Sequence, residues 1–305
     1  SEEGDRSHIK LICDQPEEIA DGQARLVAPN GTLVTLHPKQ EDIVIPPLIA
    51  SFSVCHNNDQ LNWVSGRAGM QYRDLIPDRQ GGRFIASHIR IPKGGPVPDY
   101  VHFHKIRFQM IYCYKGWVKV VYEDQGPPFV MYPGDCVLQP PMIRHRVLES
   151  SEGLEVIEIG CPAEHYTCVD HGLELPNQTI NPQKVFSGQQ FVRHQADNAT
   201  WHPRCDGKYD ARDLGISAAT DGLAGVRVLK SKCGKGPFSM SHQGELMFWF
   251  VLQGRISLVC EGYGGAHLHP GDAVTIPKGV QHTIDQASTD LELLEVAIPD
   301  VAKFS

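Results

Sequence analysis

Short apolar segments separated by turn residues recur along most of the 305-residue chain. They are short, and Gly and Pro stand between them, which is typical of β-strands rather than helices. The pattern predicts an all-β protein whose antiparallel strands close into small two-sheet jelly-roll barrels. The predicted strands occupy residues 84–91, 101–104, 109–114, 118–122, 137–139, 154–159, 225–229, 246–252, 256–260, 273–276 and 291–297.

The second half of the chain repeats the first. Seven pairs of landmarks lie 137 to 139 residues apart: Trp63 and Trp201, Arg73 and Arg212, His104 and His242, Gly116 and Gly254, Gly134 and Gly271, Pro140 and Pro277, His145 and His282. A nearly constant offset indicates a duplicated domain. We therefore expect an N-terminal extension over residues 1–60 with strands that pack on the barrels, a first barrel over 61–170, a linker over 171–195 and a second barrel over 196–305.

Charge and composition narrow the functional classes. The formal net charge of −8 argues against a nucleic-acid partner. The longest unbroken apolar run, residues 246–252, is far shorter than the roughly 18 residues needed to cross a membrane. The acidic first residues lack the features of a signal peptide, and the nine cysteines form no C-x2-C pair. We expect a cytoplasmic protein with reduced thiols and no membrane contact.

Two stretches carry candidate metal ligands. His102 and His104 are one residue apart, so on a strand they project to the same side, and Gln109 follows after a short turn. Downstream, a Gly-Asp turn at Gly134 leads through a short apolar segment and a Pro to His145. Either stretch alone is weak evidence, because histidines at this spacing are often incidental on a polar strand face.

Together the two stretches resemble the paired motifs of the cupin superfamily, G-x5-6-H-x-H-x3-4-E-x6-G and G-x5-P-x-G-x2-H. His102, His104 and His145 match the three family histidines, whereas Gln109 stands in place of the family Glu and Met142 replaces the Gly of P-x-G. The resemblance implies a bicupin, two tandem double-stranded β-helix barrels, with a metal held by His102, His104, Gln109 and His145.

Four uncharged ligands would leave a divalent ion with its full positive charge. Such a site favours small anionic substrates that chelate the metal. We expect one transition metal per chain, with Fe(II) as first choice by analogy with bicupin enzymes, and Mn, Ni, Cu or Zn as alternatives, because imidazole binds all of them. Gln109 as an indirect partner of the metal is a second possibility, since an amide is a weak donor.

Three further residues are candidates for substrate binding. His88 and Arg90 alternate on the strand before the ligands and share a face. If that face points inward, Arg90 could pair with a substrate carboxylate; if it points outward, both side chains are solvated. Cys113 shares the parity of Gln109 and could line the pocket, although a small buried thiol is more often a filler.

In the second repeat the ligand positions are largely lost. The offset places Met240, His242, Met247 and His282 at the four ligand positions, so we expect no tight metal there. Glu245 could become a metal ligand only if the register of its strand shifted. His267 and His269 form another H-x-H away from any expected ligand position, and we expect them on the surface.

Three functions remain open. The leading hypothesis is an Fe(II) dioxygenase acting on a small anionic enol, diketone or phenol bound to the metal. The second is a metal-dependent isomerase or lyase in which the metal polarises a carbonyl. The third is a non-catalytic binding or storage bicupin. A homodimer is possible.

Overall fold

The computed structural model describes residues 7–13, 19, 25–38, 43–57, 63–232 and 237–300. The acidic first residues 1–6, Cys233 and residues 58–62 at the predicted start of the first barrel lie outside these ranges. The chain divides into two compact units, Ser1–Val44 and Ile45–Ser305. No helix among the described residues has both the length and the apolarity needed to cross a membrane.

The N-terminal unit contains a three-stranded sheet. In this sheet β3 lies between the other two strands, parallel to β1 and antiparallel to β2. The strands are His8–Cys13 (β1), Arg25–Val27 (β2) and Leu33–Pro38 (β3).

The larger unit is almost entirely β-structure, which confirms the predicted fold class. Its first half comprises Ser53–Cys55 (β4), Val64–Ser65 (β5), Gln71–Asp74 (β6), Ile85–Ile91 (β7), Gly95–Pro96 (β8), His102–Lys105 (β9), Phe108–Lys115 (β10), Val118–Tyr122 (β11), Phe129–Met131 (β12), Cys136–Leu138 (β13), His145–Ser150 (β14), Leu154–Cys161 (β15) and Tyr166–Val169 (β16).

The second half comprises Val185–Phe186 (β17), Gln189–Gln190 (β18), Val192–His194 (β19), His202–Arg204 (β20), Tyr209–Asp213 (β21), Gly225–Ser231 (β22), Phe238–Met240 (β23), Leu246–Gln253 (β24), Ile256–Cys260 (β25), Gly264–Leu268 (β26), Ala273–Thr275 (β27), His282–Ala287 (β28) and Glu292–Ile298 (β29). Among the described residues of the larger unit, helical structure is limited to single turns at Arg79–Gly82 (α1), Ile216–Ala219 (α2) and the 3₁₀ segments Arg67–Gly69 and Ala196–Asn198.

These strands form two barrels, each built from a seven-stranded sheet and a smaller facing sheet. Barrel one has the strand orders β19-β13-β10-β15-β7-β6-β5 and β12-β11-β14-β9-β16, with β8 paired to β14. Barrel two has the orders β20-β21-β22-β29-β24-β27-β4 and β23-β28-β25-β26. The same order of equivalent strands in both large sheets agrees with the duplication seen in the sequence.

The large sheet of each barrel includes one strand from the chain segment that precedes the other barrel. β4 precedes barrel one in the chain but pairs with β27 of barrel two, and β19 precedes barrel two but pairs with β13 of barrel one. The predicted domain boundaries stay a prediction, and these two pairings bear on them. The last part of the predicted extension belongs to the sheet of barrel two, and the predicted linker ends in a strand of barrel one. Pairing partners so distant in sequence leave no local signal.

The two seven-stranded sheets share a hydrophobic core. Met110 and Tyr112 of β10 belong to the same buried cluster as Phe248 and Phe250 of β24. Side chains of opposite parity on β10 and β24 face the interior of their own barrels. Because both faces are covered, β24 reads in the sequence as one unbroken apolar run. The eight cysteines that the structure describes are all free thiols.

Candidate metal centre

Three histidines converge inside barrel one. On β9, His102 and His104 are buried and alternate with half-buried residues. His145 is the first residue of β14 and pairs directly with His102. The three rings offer nitrogen atoms that all lie within 4.8 Å of one another. All three side chains are buried, so these imidazoles can meet one ion away from bulk water.

Hydrogen bonds orient the two histidines of β9. Nδ1 of His102 lies 2.8 Å from the backbone oxygen of Tyr100, and Nδ1 of His104 lies 3.0 Å from Oγ1 of Thr167. A ring whose Nδ1–H donates to oxygen carries its lone pair on Nε2, the arrangement typical of metal-binding histidines. Buried Asp99 adds a carboxylate 3.6 Å from the Nδ1 atom of His102.

His145 is held in the same way. Its Nδ1 lies 3.1 Å from the backbone oxygen of Ile143, and its Nε2 lies 2.8 Å from the side-chain nitrogen of Gln139. The amide of Gln139 therefore lies where the lone pair of His145 points. The rings of His145 and Tyr122 stack with centroids 5.5 Å apart, which fixes the imidazole from its other side.

Gln109 lies on β10 beside a carboxylate that the sequence analysis missed. Its Nε2 donates a 2.5 Å hydrogen bond to Oε1 of Glu158 on the neighbouring strand β15. A carboxylate only accepts, so this bond turns the amide nitrogen of Gln109 toward Glu158 and its oxygen the other way. Glu158 is thus a negative charge inside barrel one, next to the predicted fourth ligand.

A cavity of about 280 Å³ adjoins the histidines. Most of its wall is aliphatic, and its polar groups are imidazoles, amides, hydroxyls, Arg146 and the single carboxylate of Glu158. The lining residues are Met70, Tyr72, Ile85, Ser87, Ile89, Ile91, His104, Gln109, Ile111, Val118, Val120, Tyr122, Met131, Gln139, His145, Arg146, Val147, Leu154, Val156, Glu158, His165 and Thr167.

The candidate substrate residues His88 and Arg90 do not line this cavity, and the structure corrects that prediction. On β7 it is Ser87 and Ile89 that face the cavity, so the residues between them face the other way. His88 is fully buried between Arg73 and Glu155, with contacts of 2.9 and 2.8 Å. Burial lowers the pKa of His88, although its hydrogen bond to Glu155 opposes this shift.

Arg90 packs outside the cavity as well. Its guanidinium lies 4.0 Å from the ring centre of Trp63, and Nε donates a 2.7 Å hydrogen bond to Gln71. The two residues do share a face, as predicted, but the face is directed away from the histidines. Arg90 therefore has a structural contact and no access to the cavity.

The structure also corrects the prediction that Cys113 could line the pocket. It faces the interior of barrel one with the parity of Gln109, yet it lies in the hydrophobic core beyond the cavity. Burial raises the pKa of its thiol to about 12, so the side chain is a neutral filler.

Beside Glu158, sequence reasoning missed Gln139, Thr167 and His165. The ring centre of His165 lies 5.3 Å from that of His104, and Nδ1 of His165 lies 3.2 Å from the backbone oxygen of Pro162. None of these residues belongs to a recognisable motif. Only Glu158 had an available signal, because the repeat offset pairs it with Glu295.

The equivalent space in barrel two is filled by side chains. Met240, Met247 and Trp249 are buried in its core, and the Trp249 ring packs against His282 with centroids 5.4 Å apart. The rings of His242 and His282 are 6.3 Å apart. Of the described residues, only His102, His104 and His145 form a candidate metal cluster.

Two other sequence predictions concern barrel two. Glu245 accepts hydrogen bonds from Arg83 of barrel one, so it takes no ligand position. The side chain of His269 is 66% exposed and His267 bonds to Ser257 at the surface, as expected for this second H-x-H.

The donor set of barrel one fits a divalent transition metal. Three imidazoles have their Nδ1 atoms engaged by oxygen, and an amide oxygen and a carboxylate stand nearby, which together suit Mn, Fe, Ni, Cu or Zn. Ligand type does not choose among these metals. His102, His104 and His145 would hold the ion, and Gln109 stays the predicted fourth donor.

The comparisons with known proteins agree with this architecture. Residues 228–297, in barrel two, match the family model described as cupin domain. No curated protein matches the chain.

Solved structures with this fold include two bacterial oxalate decarboxylases. A formate complex of the Lactobacillus farciminis enzyme is 12% identical with a TM-score of 0.59, over 85% of this chain and 90% of that one. The Bacillus subtilis enzyme, in a study of its Mn(II) centres, is 12% identical with a TM-score of 0.57, over 86% and 80%. Similarity at this level of identity shows the fold.

Proposed function

Because this chain is a member of the cupin superfamily with two tandem barrels, we propose that barrel one is the active site of a metal-dependent lyase or isomerase. Its substrate is a small anionic molecule with a carbonyl or enol group, bound in the cavity next to His102, His104 and His145. The observation that carries this proposal is the cluster of three oriented imidazoles, two of which line a cavity that also contains Glu158.

The residues of the cavity have separable roles. A bound divalent ion would polarise a substrate carbonyl as a Lewis acid. Glu158 is the one carboxylate among the described cavity residues, so it is the group that can take a proton from the substrate and return it. Gln109 holds Oε1 of Glu158, and the aliphatic wall excludes water from the reacting groups.

The Fe(II) dioxygenase that the sequence favoured is the second candidate. The structural relatives support the lyase alternative better, because they are decarboxylases and one is described with Mn(II) centres. An open metal position serves either reaction, so the use of dioxygen has to be measured. Iron as the first-choice metal rests only on the family analogy.

Purified protein is loaded in turn with Mn(II), Fe(II), Ni(II), Cu(II) and Zn(II) and assayed with and without dioxygen. The substrates are oxalate, 2-oxo acids, β-keto acids, hydroxy acids and enolisable diketones. Their turnover is measured by carbon dioxide release and by solvent deuterium exchange. We expect turnover or exchange under strict anaerobiosis that is lost in His104→Ala and retained in His267→Ala. Turnover only with dioxygen uptake would favour the dioxygenase. A protein that takes up no metal would refute both.

A further inference from the structure

The two barrels differ at an interior position that lines the cavity of barrel one. In barrel one Ile111 lies opposite Glu158 across two antiparallel strands, and in barrel two Trp249 lies opposite Glu295 in the same way. The indole of Trp249 is fully buried and donates a 3.3 Å hydrogen bond to Glu295. The smaller side chain of Ile111 instead lines the open cavity of barrel one.

The carboxylates of the two barrels also differ in their partners. Glu295 lies 3.6 Å from Arg204 and 3.9 Å from Arg227. The residue paired with Glu158 at the position of Arg227 is Ser87, and the described residues give Glu158 no ion pair. Barrel two thus has a filled and neutralised interior, whereas barrel one keeps both space and charge.

Polarity changes along the axis of the cavity. At one end of the large sheet, Gln109 and Glu158 face inward with Ser87 beside them. Moving along β7 and β15, the next inward pairs are Ile89 with Val156 and Ile91 with Leu154. Four residues of strand span roughly 13 Å, so the polar and aliphatic ends are well separated.

The facing sheet shows the same gradient. His145 pairs with Tyr122, and the next inward pair is Val147 with Val120. Both sheets therefore place their polar groups at one end of the barrel, where Ile85 and Ile111 also line the cavity, and aliphatic pairs at the other end.

The volume sets the size of the occupant. The cavity measures about 280 Å³, whereas a protein cavity of about 150 Å³ holds benzene. By proportion this cavity holds roughly ten non-hydrogen atoms. A dicarboxylate without an apolar part would leave the aliphatic end empty.

We propose that the substrate of barrel one is an amphipathic acid, with a metal-chelating 2-oxo acid or enolate head and an aliphatic tail of roughly four to six carbons, and that Leu154, which pairs with Ile91 at the far aliphatic end, determines the tail length. This inference rests on the proposed function, since it concerns the same cavity. The head binds at the histidines, and the tail binds between Ile89, Val118 and Val156.

The test measures the affinity of a homologous series, pyruvate to 2-oxoundecanoate, for Mn(II)-loaded protein by titration calorimetry. Each buried methylene should tighten binding about fourfold until the aliphatic end is filled. In Leu154→Trp we expect the series to become flat while pyruvate still binds, because Leu154 lies at the end of the cavity away from the histidines. In Leu154→Ala the best ligand should be longer by two or three carbons. The surface variant Val259→Trp should leave the series unchanged.

Two additional measurements separate this inference from the proposed function. The Mn(II) paramagnetic resonance spectrum, with and without pyruvate, reports the metal site alone. Binding of neutral 1-alkanols to metal-free protein reports the aliphatic end alone, and it should be lost in Leu154→Trp.

The inference and the proposed function can therefore be refuted separately. Absence of Mn(II) binding would overturn the proposed function, and the alkanols would still test the tail site. Equal affinity for pyruvate and 2-oxooctanoate in metal-loaded protein would overturn the inference and leave the proposed function standing.

Discussion

The guanidinium of Arg73, in barrel one, donates a 2.7 Å hydrogen bond to the backbone oxygen of Gly271 in barrel two. The same side chain donates to the backbone oxygen of His56 at 3.1 Å and lies 2.9 Å from Nδ1 of His88. Gly271 has φ of +89°, a left-handed conformation that favours glycine. One buried cation thus joins a tight turn of barrel two to the sheet of barrel one.

The repeat makes this contact reciprocal. Arg212, the counterpart of Arg73, donates to the backbone oxygen of Gly134 at 3.3 Å and lies 3.4 Å from the hydroxyl of Tyr112. Gly134 is the counterpart of Gly271 and has φ of +95°. Each barrel therefore secures the equivalent turn of the other, alongside the exchanged strands β4 and β19.

Replacing Arg73 with Met should destabilise the protein by about 3 to 5 kcal/mol, because a buried carbonyl group, a part-buried one and a buried imidazole lose their partner. Denaturant unfolding measures the loss. Arg79→Met is the matched control: Arg79 is half-exposed and pairs with Asp74 at the surface, so its loss should stay below about 1 kcal/mol. Equal effects of both variants would contradict the locking role of Arg73.

Thr167→Val should weaken metal binding by about 10- to 100-fold while leaving the fold intact. The substitution keeps the shape of the side chain but removes the oxygen that holds Nδ1 of His104. Competition with a chelator of known affinity gives the measurement. Thr283→Val, at the equivalent sheet of barrel two, serves as control and should bind metal as the wild type does.

Gln109→Glu introduces the residue that the family motif carries, and we expect it to destabilise the metal-free protein. The new carboxylate would face Glu158, which Gln109 now contacts at 2.5 Å, and two like charges near a protein surface repel by up to about 4 kcal/mol. The double variant Gln109→Glu with Glu158→Gln should recover most of the loss. If the double variant is no more stable than Gln109→Glu, the two side chains are not coupled.

His282 should make stability depend on pH. Burial lowers its pKa to about 4 in the folded protein, while an unfolded histidine titrates near 6.5. Its contribution is therefore complete above about pH 6.5 and decreases as the pH falls toward 4, by about 3 kcal/mol in total. The difference in unfolding free energy between wild type and His282→Gln should shrink over this range.

The exposed His269 supplies the control for that measurement. His269→Gln should change stability far less than His282→Gln does between pH 7 and 4, because its side chain is 66% exposed. A His282→Gln protein whose stability stays parallel to the wild type from pH 7 to 4 would contradict the buried, uncharged state of His282.

The two faces of β7 show what the sequence could not determine. Alternation correctly put His88 and Arg90 on one side of β7 and gave Cys113 the parity of Gln109. It could not say which side of β7 looks into the barrel, because both faces of that strand are covered. Arg73 and Glu155, which enclose His88, lie on other strands of the sheet.

The sequence by itself determined the duplicated β-architecture and the histidines at 102, 104 and 145, because turn residues, strand periodicity and motif spacing are local properties of the chain. Only the tertiary structure decided that Glu158 lies beside Gln109 and that strands β4 and β19 cross between the barrels. It also decided that Ile111 lines an open cavity in barrel one, whereas Trp249 fills the equivalent space in barrel two. Those relationships depend on register and pairing between distant segments, which no local pattern specifies.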